Sequence, residues 1–125
     1  MAPSGMPDAM PEIHAATYAA RIEELRERME GVGVDLLLVY ADREHSANLS
    51  YLTGFDPRFE EALLVVSGEG DPLILVGNEC VGTAKAAPVP MRVELFQDFS
   101  LPGQPRDRSR SFHEILSEAG VRPGT

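Results

Sequence analysis

Few of the residues with chemical capability in this chain stand at the spacings chemistry requires. The three histidines, His14, His45 and His113, are scattered, and none has a second ligand at metal spacing. Cys80 is the single cysteine, which excludes an internal disulfide and a multi-thiolate metal site. No serine nucleophile elbow is present, and Cys80 has no identifiable histidine partner, so it reads as a small buried residue of a short helix. Gly31-Val-Gly33 precedes a strand rather than following one, and Gly68-Glu-Gly70 carries an acid that repels phosphate. Both are turn glycines, not phosphate loops. Asp42, Glu44, Asp56, Glu60 and Glu61 are candidates for acid–base or metal work, but no spacing singles out a pair, and all five read as solvated loop acids. On residue types alone there is no catalytic residue and no metal ligand to assign.

The elements that would position these groups follow from periodicity. Residues 1–16, with Pro3, Pro7 and Pro11, read as a flexible arm, and residues 17–125 as one domain. Thr17 is placed to cap a helix running to Glu30, whose apolar face is Tyr18, Ile22, Leu25 and Met29. Gly31 is placed to end it in a left-handed conformation. Val34–Tyr40 is a continuous apolar run, predicted to be a strand covered on both faces. Ser46 is a candidate cap for a short helical turn that Gly54 stops. Ala62–Val66 and Leu73–Val76 are joined by too few residues for a crossover helix, so they pair as an antiparallel hairpin and the sheet is mixed. A short helix follows from Asn78 to Ala86, then an alternating strand, Met91–Phe96, nearer an edge. Ser111 and Glu114 fit a capping box for a last helix closed by Gly120. The order α-β-α-β-β-α-β-α makes an α/β layered domain.

Bulk properties narrow the partners. The chain has 125 residues, about one domain, with a net charge of −9 from 11 basic and 20 acidic residues. Such acidity disfavours nucleic-acid binding. From Asp98 onward four acids balance four arginines, Arg106, Arg108, Arg110 and Arg122, which read as a solvated linker and helix start rather than an anion site. No apolar run approaches the roughly 20 residues of a membrane span. The first residues lack the basic and apolar regions of a secretory signal, so a cytoplasmic location is the default and no membrane partner is expected. Glu118-Ala-Gly-Val repeats the helix-to-strand transition of Met29-Glu-Gly-Val, which predicts that the native chain continues past Thr125.

One segment is distinctive. Arg21, Leu25, Met29 and Gly33-Val-Asp-Leu-Leu-Leu-Val are followed by Asn48-Leu-Ser-Tyr-Leu-Thr-Gly-Phe55. Ala62-Leu-Leu-Val-Val, Pro72-Leu-Ile-Leu-Val and Glu79 come next. From Tyr18 to Gly120 this succession resembles the N-terminal domain of the creatinase / prolidase / aminopeptidase P family, and the Asn48–Phe55 segment is its most specific part. The resemblance implies a three-layer α/β/α fold with a ribonuclease H-like motif and a mixed β-sheet. It implies a non-catalytic domain that builds dimers and covers the active site of a C-terminal catalytic "pita-bread" domain absent from this chain. That partner domain would bind two divalent metal ions (Mn, Co or Zn) through two Asp, one His and two Glu. By the same resemblance Arg43, His45, Asn48, Tyr51, Phe55 and Phe59 are candidate substrate-facing residues. Leu52 and Gly54 are structural in this reading, and Tyr51 and Phe55 pack or face substrate. The implied parent is an Xaa-Pro peptidase. The alternatives are a creatinase-like amidinohydrolase parent, or a free-standing α/β module binding a small ligand or protein.

Overall fold

The computed structural model describes residues 14–58, 60–101, 103 and 107–120. The elements are α1 (Ala15–Gly31), β1 (Leu36–Ala41), α2 (Ala47–Thr53), β2 (Ala62–Ser67), β3 (Leu73–Val76), α3 (Val81–Lys85), β4 (Arg92–Leu95) and α4 (Phe112–Glu118). A single 3-10 turn, Gln97–Phe99, separates the last two. The helices and strands occur in the order read from periodicity. The sheet order is β1-β2-β3-β4. β1 pairs antiparallel with β2, β2 antiparallel with β3, and β3 parallel with β4, so the sheet is mixed.

The two strands of the hairpin alternate their side chains between two cores. Leu64, Val66, Ile74 and Val76 pack with Ile22 and Met29 of α1, Leu49 and Leu52 of α2, and Ala84 of α3. Leu63, Val65, Leu73 and Leu75 pack on the other face with Phe96 and with Ile115 of α4. The result is a three-layer α/β/α arrangement in which helices from both sides bury one apolar sheet.

β1 departs from its predicted place. Its apolar run suggested cover on both faces, yet among the described residues it is an edge strand. Leu37 and Val39 face the first core, whereas Leu38 and Tyr40 on the opposite face are 44% and 48% exposed. An unbroken apolar run is compatible with burial on both faces but does not place the strand within the sheet, and here the strands in central position are β2 and β3. β4 does lie at an edge, as its alternation indicated.

Local chemistry differs from the sequence reading at several ends. α1 begins at Ala15, with His14 at the N-cap, rather than at a Thr17 cap. Gly31 is helical, and the left-handed residue is Gly33, φ +73°. This lets the Val34 amide reach back to the Met29 carbonyl at 2.8 Å. Ser46 precedes α2 without a side-chain cap bond. α3 is shorter than predicted and starts at Val81. Ser111 does cap α4: its Oγ accepts from the Glu114 amide at 3.1 Å and donates to the Glu114 carboxylate at 3.0 Å. Arg106 and Arg122 lie outside the described residues. Arg110 is a clip rather than a solvated charge, donating to Glu94 of β4 at 2.6 Å and to Glu118 of α4. On the other side of the sheet, Arg26 of α1 donates to the Ser67 and Gly70 carbonyls and holds the hairpin turn.

Gly54 ends α2 in the left-handed region, φ +73°, its amide donating to the Ser50 carbonyl at 2.8 Å. A Cβ there would stand 2.8 Å from Pro88 Cγ and 3.0 Å from the Tyr18 ring, whereas a Cβ on Gly33, at the same φ, meets nothing within 4 Å. Gly33→Ala should therefore cost about 1 kcal/mol for the backbone alone. Gly54→Ala should cost about 2–3 kcal/mol, since overpacking adds to that term. Urea unfolding of both variants tests this, and equal losses would show that the close approach to Pro88 is relieved freely.

The Arg110 clip is pH-dependent. Hydrogen bonding from Arg110, and then its charge, hold the Glu118 carboxyl below the ordinary carboxylate range. A lowered folded pKa contributes stability that is present above the unfolded pKa and lost as pH falls through the folded one. The protection of α4 amides, corrected for the pH dependence of intrinsic exchange, should fall on acidification more in the native chain than in Arg110→Met. An identical pH response in both would remove the clip from this account.

Candidate functional site

The Asn48–Phe55 segment divides by helical period. Leu49, Leu52 and Thr53 point into the core. The Thr53 hydroxyl donates to the Leu49 carbonyl at 2.7 Å and accepts from the Phe55 amide at 3.1 Å, so it locks the exit from the helix. Phe55 lies in the core at 2% exposure. Asn48 and Tyr51 are on the outward side, and Tyr51 is 55% exposed. The Arg21 guanidinium lies 4.0 Å from the centre of the Tyr51 ring and 5.4 Å from that of Tyr18. It also donates to the Tyr51 carbonyl at 2.8 Å. A cation in the last turn of α2 satisfies an open carbonyl and complements the helix dipole, and the ring stacking fixes the tyrosine.

Asn48 and Tyr51 share a cleft of about 430 Å³ with Leu25 and Leu52 and with the exposed strip of β1, including Leu38 and Tyr40. The Tyr40 hydroxyl titrates above its ordinary value, through partial burial and then the nearby Glu61 and Asp42 carboxylates, so it is a neutral hydrogen-bonding group near neutral pH. Arg43 and His45 stand on the exposed loop beyond the strand, outside the cleft's lining. There one Asp42 oxygen accepts from the Glu44 and His45 amides at 3.0 and 2.8 Å and meets His45 Nδ1 at 3.0 Å. Partial desolvation pushes the Asp42 carboxyl up, but its bonds to His45 and Glu44 together bring it below its ordinary value. Phe59 lies outside the described residues. Of the six candidate residues, the fold thus gathers Asn48 and Tyr51, sets Arg43 and His45 on an adjoining loop, and packs Phe55 inside.

A second cleft, of about 300 Å³, is lined by Asp56, Arg58, Glu60, Glu79, Cys80 and Thr83, among others. It corrects the reading of Glu60 as a solvated acid. Glu60 is 3% exposed, and its carboxylate accepts from the Glu79 amide at 3.1 Å and the Leu101 amide at 3.2 Å. It joins the loop before β2, the end of β3 and the turn after β4. Gly77 makes room for it: a Cβ there would stand 2.8 Å from the Ser100 backbone and 2.9 Å from the Glu60 carboxyl carbon. No local pattern marks Glu60 in the sequence, because its partners are backbone amides from distant segments.

Cys80 is buried beside it, its thiol donating to the Pro57 carbonyl at 3.2 Å. Burial, reinforced by a hydrogen bond to Glu60 and by the charges of Glu60, Glu79 and Asp56, pushes the thiol up to about 12. Only a thiolate attacks or ligates efficiently, so this cysteine is inert at neutral pH. Among the described residues no group of three or more His, Cys, Asp and Glu side chains is arranged to hold a metal ion. No described helix is long and apolar enough to cross a membrane.

Two outcomes follow for this cluster. Native protein at about pH 8 should resist alkylation of Cys80 by iodoacetamide until it is unfolded, as read by intact mass. Glu60→Ala, which strands two buried amides, should lose about 3 kcal/mol of stability. Rapid native alkylation would contradict the first, and a loss under about 1 kcal/mol the second.

The comparisons with known proteins agree with this architecture. Residues 21–124 match the Creatinase/Prolidase N-terminal domain family. No curated protein matches the chain. The creatinase/prolidase N-terminal domain of an X-Pro dipeptidase from Streptococcus pyogenes superposes with a TM-score of 0.55 at 21% identity, over 85% of this chain and 70% of that one. A proline dipeptidase from Streptococcus agalactiae gives 0.52 at 20%, over 86% and 90%. Dipeptidase PepE from Mycobacterium ulcerans gives 0.51 at 20%, over 68% of this chain but 24% of its own. A metallopeptidase N-terminal domain from Corynebacterium diphtheriae, 19% identical with a TM-score of 0.52 over 62% of this chain, is covered over 58% of its length. The chain thus spans less than two-thirds of some of these relatives. At these identities the structures speak for the fold, and the family match speaks for descent: this chain belongs to the creatinase/prolidase N-terminal domain family.

Proposed function

We propose that this chain is the non-catalytic N-terminal domain of a metal-dependent Xaa-Pro peptidase, a hydrolase of the aminopeptidase P/prolidase kind, and that it serves oligomer assembly and covers the active site to restrict substrate. The observation that carries this reading is the family match over residues 21–124. Structural neighbours described as X-Pro and proline dipeptidases support the substrate class.

The described residues do not fit a dinuclear metal centre; in this reading the two divalent ions are held by a further domain, and no chemical step is assigned to this chain. Its contribution is shape. Asn48 and Tyr51 project from a helix whose end is stopped by Gly54 and tied by Thr53. Arg21 holds the tyrosine ring in place. Arg43 and His45 stand on the exposed loop between β1 and α2. A rigid, amphipathic group such as the Arg21–Tyr51 stack narrows an opening at small entropic cost, because its rotamers are already restricted.

The reading is tested in two steps. The chain alone, incubated with Mn²⁺ and an Xaa-Pro dipeptide, should show no hydrolysis, and genuine turnover would sink the proposal. In the parent enzyme, Tyr51→Ala should change the KM ratio between dipeptide and longer peptide substrates by about tenfold, with kcat for the dipeptide retained. An unaltered ratio in a variant of native melting temperature would remove Tyr51 from the covering role.

A further inference from the structure

Arg58 stands in a backbone conformation that its residue type does not favour. Its φ is +58°, and among the described residues it is the one non-glycine with a positive φ. In the left-handed region a Cβ crowds the neighbouring carbonyl, and glycine or asparagine is the usual occupant. The loop enforces this strain. The Asp56 carboxylate accepts from the Arg58 amide at 2.8 Å. The Pro57 carbonyl accepts from the Glu60 amide at 3.1 Å and from the Cys80 thiol at 3.2 Å. Phe55, Pro57 and Glu60 are buried on either side, and Arg58 is left exposed. Strained residues of this kind cluster at sites that use the side chain.

Arg58 lines the cleft of about 300 Å³ and is the one cation among its described lining residues. Asp56 and Glu79 are exposed on the same lining, yet the Arg58 guanidinium makes no hydrogen bond or ion pair with any described residue. Arg26 and Arg110, by contrast, are taken up by the fold. The cleft also lies where an α/β sheet places ligands. β3 and β4 are parallel, and the residues that follow each, Glu79 and Cys80 after one and Leu101 after the other, meet there with the loop that leads into β2. That is the carboxyl end of the parallel strands.

The chemistry of the rim narrows the ligand. A guanidinium presents a planar fork that matches a carboxylate. A simple anion is disfavoured, because the charges of Glu60, Glu79 and Asp56 all reach the Cys80 thiol in the cleft's lining and make the local potential negative. Glu60 is engaged by the Glu79 and Leu101 amides, which leaves Asp56 and Glu79 as the exposed carboxylates. One free cation beside two exposed carboxylates fits a zwitterion. A dipeptide with free termini is such a molecule, and its extended backbone spans roughly 7 Å.

We propose that this cleft binds a short peptide by its two free termini, Arg58 taking the α-carboxylate and the exposed Asp56 and Glu79 the α-ammonium. The ligand class rests on the proposed function, since a domain that covers a peptidase active site meets peptides. A capped peptide leaves one end unmatched, and a longer one cannot bring both ends into the cleft. Arg58 therefore selects length together with charge, and the strain in its backbone fixes where the carboxylate is read.

The test titrates the isotope-labelled 125-residue chain with the dipeptide Ala-Pro and follows its amide shifts. Saturable shifts are expected at Asp56, Arg58, Glu79 and Thr83. Amidation of the carboxylate, acetylation of the ammonium and Arg58→Asn should each weaken binding by about tenfold or more. Asparagine is at home in the left-handed region, so Arg58→Asn should melt no lower than the native chain. No saturable shifts at these residues, equal binding of the capped peptides or of the variant, or a lower melting temperature in Arg58→Asn, the mark of a residue held for the fold, would overturn the proposal. Hydrolysis of Ala-Pro by the parent enzyme is read separately. Cleavage by the parent without binding at this cleft would discard the site and leave the proposed function standing, and binding here beside a parent that does not cleave would do the reverse.

Discussion

The β2–β3 hairpin is apolar on both faces, and this one constraint shapes the rest of the molecule. From Ala62 to Val66 and from Leu73 to Val76 every side chain is buried. Successive residues of a strand face opposite sides, so such a hairpin is stable only if apolar elements cover both. The chain therefore sends α1, α2 and α3 to one face and α4 to the other. Arg26 and Arg110 secure one helix on each side, and both act through hydrogen bonds to backbone or carboxylate oxygens rather than through loose surface pairing. β1 and β4 border the hairpin and inherit its two-sidedness only in part.

The polar counterpart of that hairpin is the junction at its end. β3 finishes at Val76, and Gly77 lies against the Ser100 backbone and the Glu60 carboxyl. A buried carboxylate is costly unless its oxygens are satisfied, and Glu60 has the Glu79 and Leu101 amides. The same carboxylate helps keep the Cys80 thiol protonated. One residue thus ties three loops and makes its neighbouring thiol inert. That is a structural use of charge, although an acid, a cysteine and an arginine around a cleft have the composition of an active site.

How much of this was legible in the sequence depended on the range of the interactions. Hydrophobic period and turn residues located the α-helices and strands, the hairpin and the helix stop at Gly54, because each of these is decided within a few residues, while the 3-10 turn Gln97–Phe99 went unread. The family resemblance rested on a contiguous segment and is upheld by the family match. Features set by distant segments were not legible. The apolar run of β1 does not reveal that β2 is its one partner among the described residues, since strand pairing is decided between distant segments. Glu60 looks like any loop acid until residues 79 and 101 are brought to it. Gly33 rather than Gly31 takes the left-handed turn because α1 runs one residue further, a choice that propensity does not resolve.

The Asn48–Phe55 segment shows how a family signature and a functional surface can differ. Its most recognisable residues are there for the fold: Thr53 latches the helix end, Gly54 fits where a side chain would strike Pro88, and Phe55 fills the core. A segment under those constraints is recognisable from its packing alone. The outward side of α2 carries Asn48 and Tyr51, the two residues to which the proposed function assigns the shaping of the opening. Their orientation is nevertheless imposed by the buried half, since rotating α2 to move Tyr51 would expose Leu49 and Leu52. The helix therefore couples a buried internal face to an exposed external one. The stack of Arg21 on Tyr51 extends this coupling to α1: the outward ring is held by a residue of another helix, so its position reports on the packing of the whole layer rather than on the loop beside it.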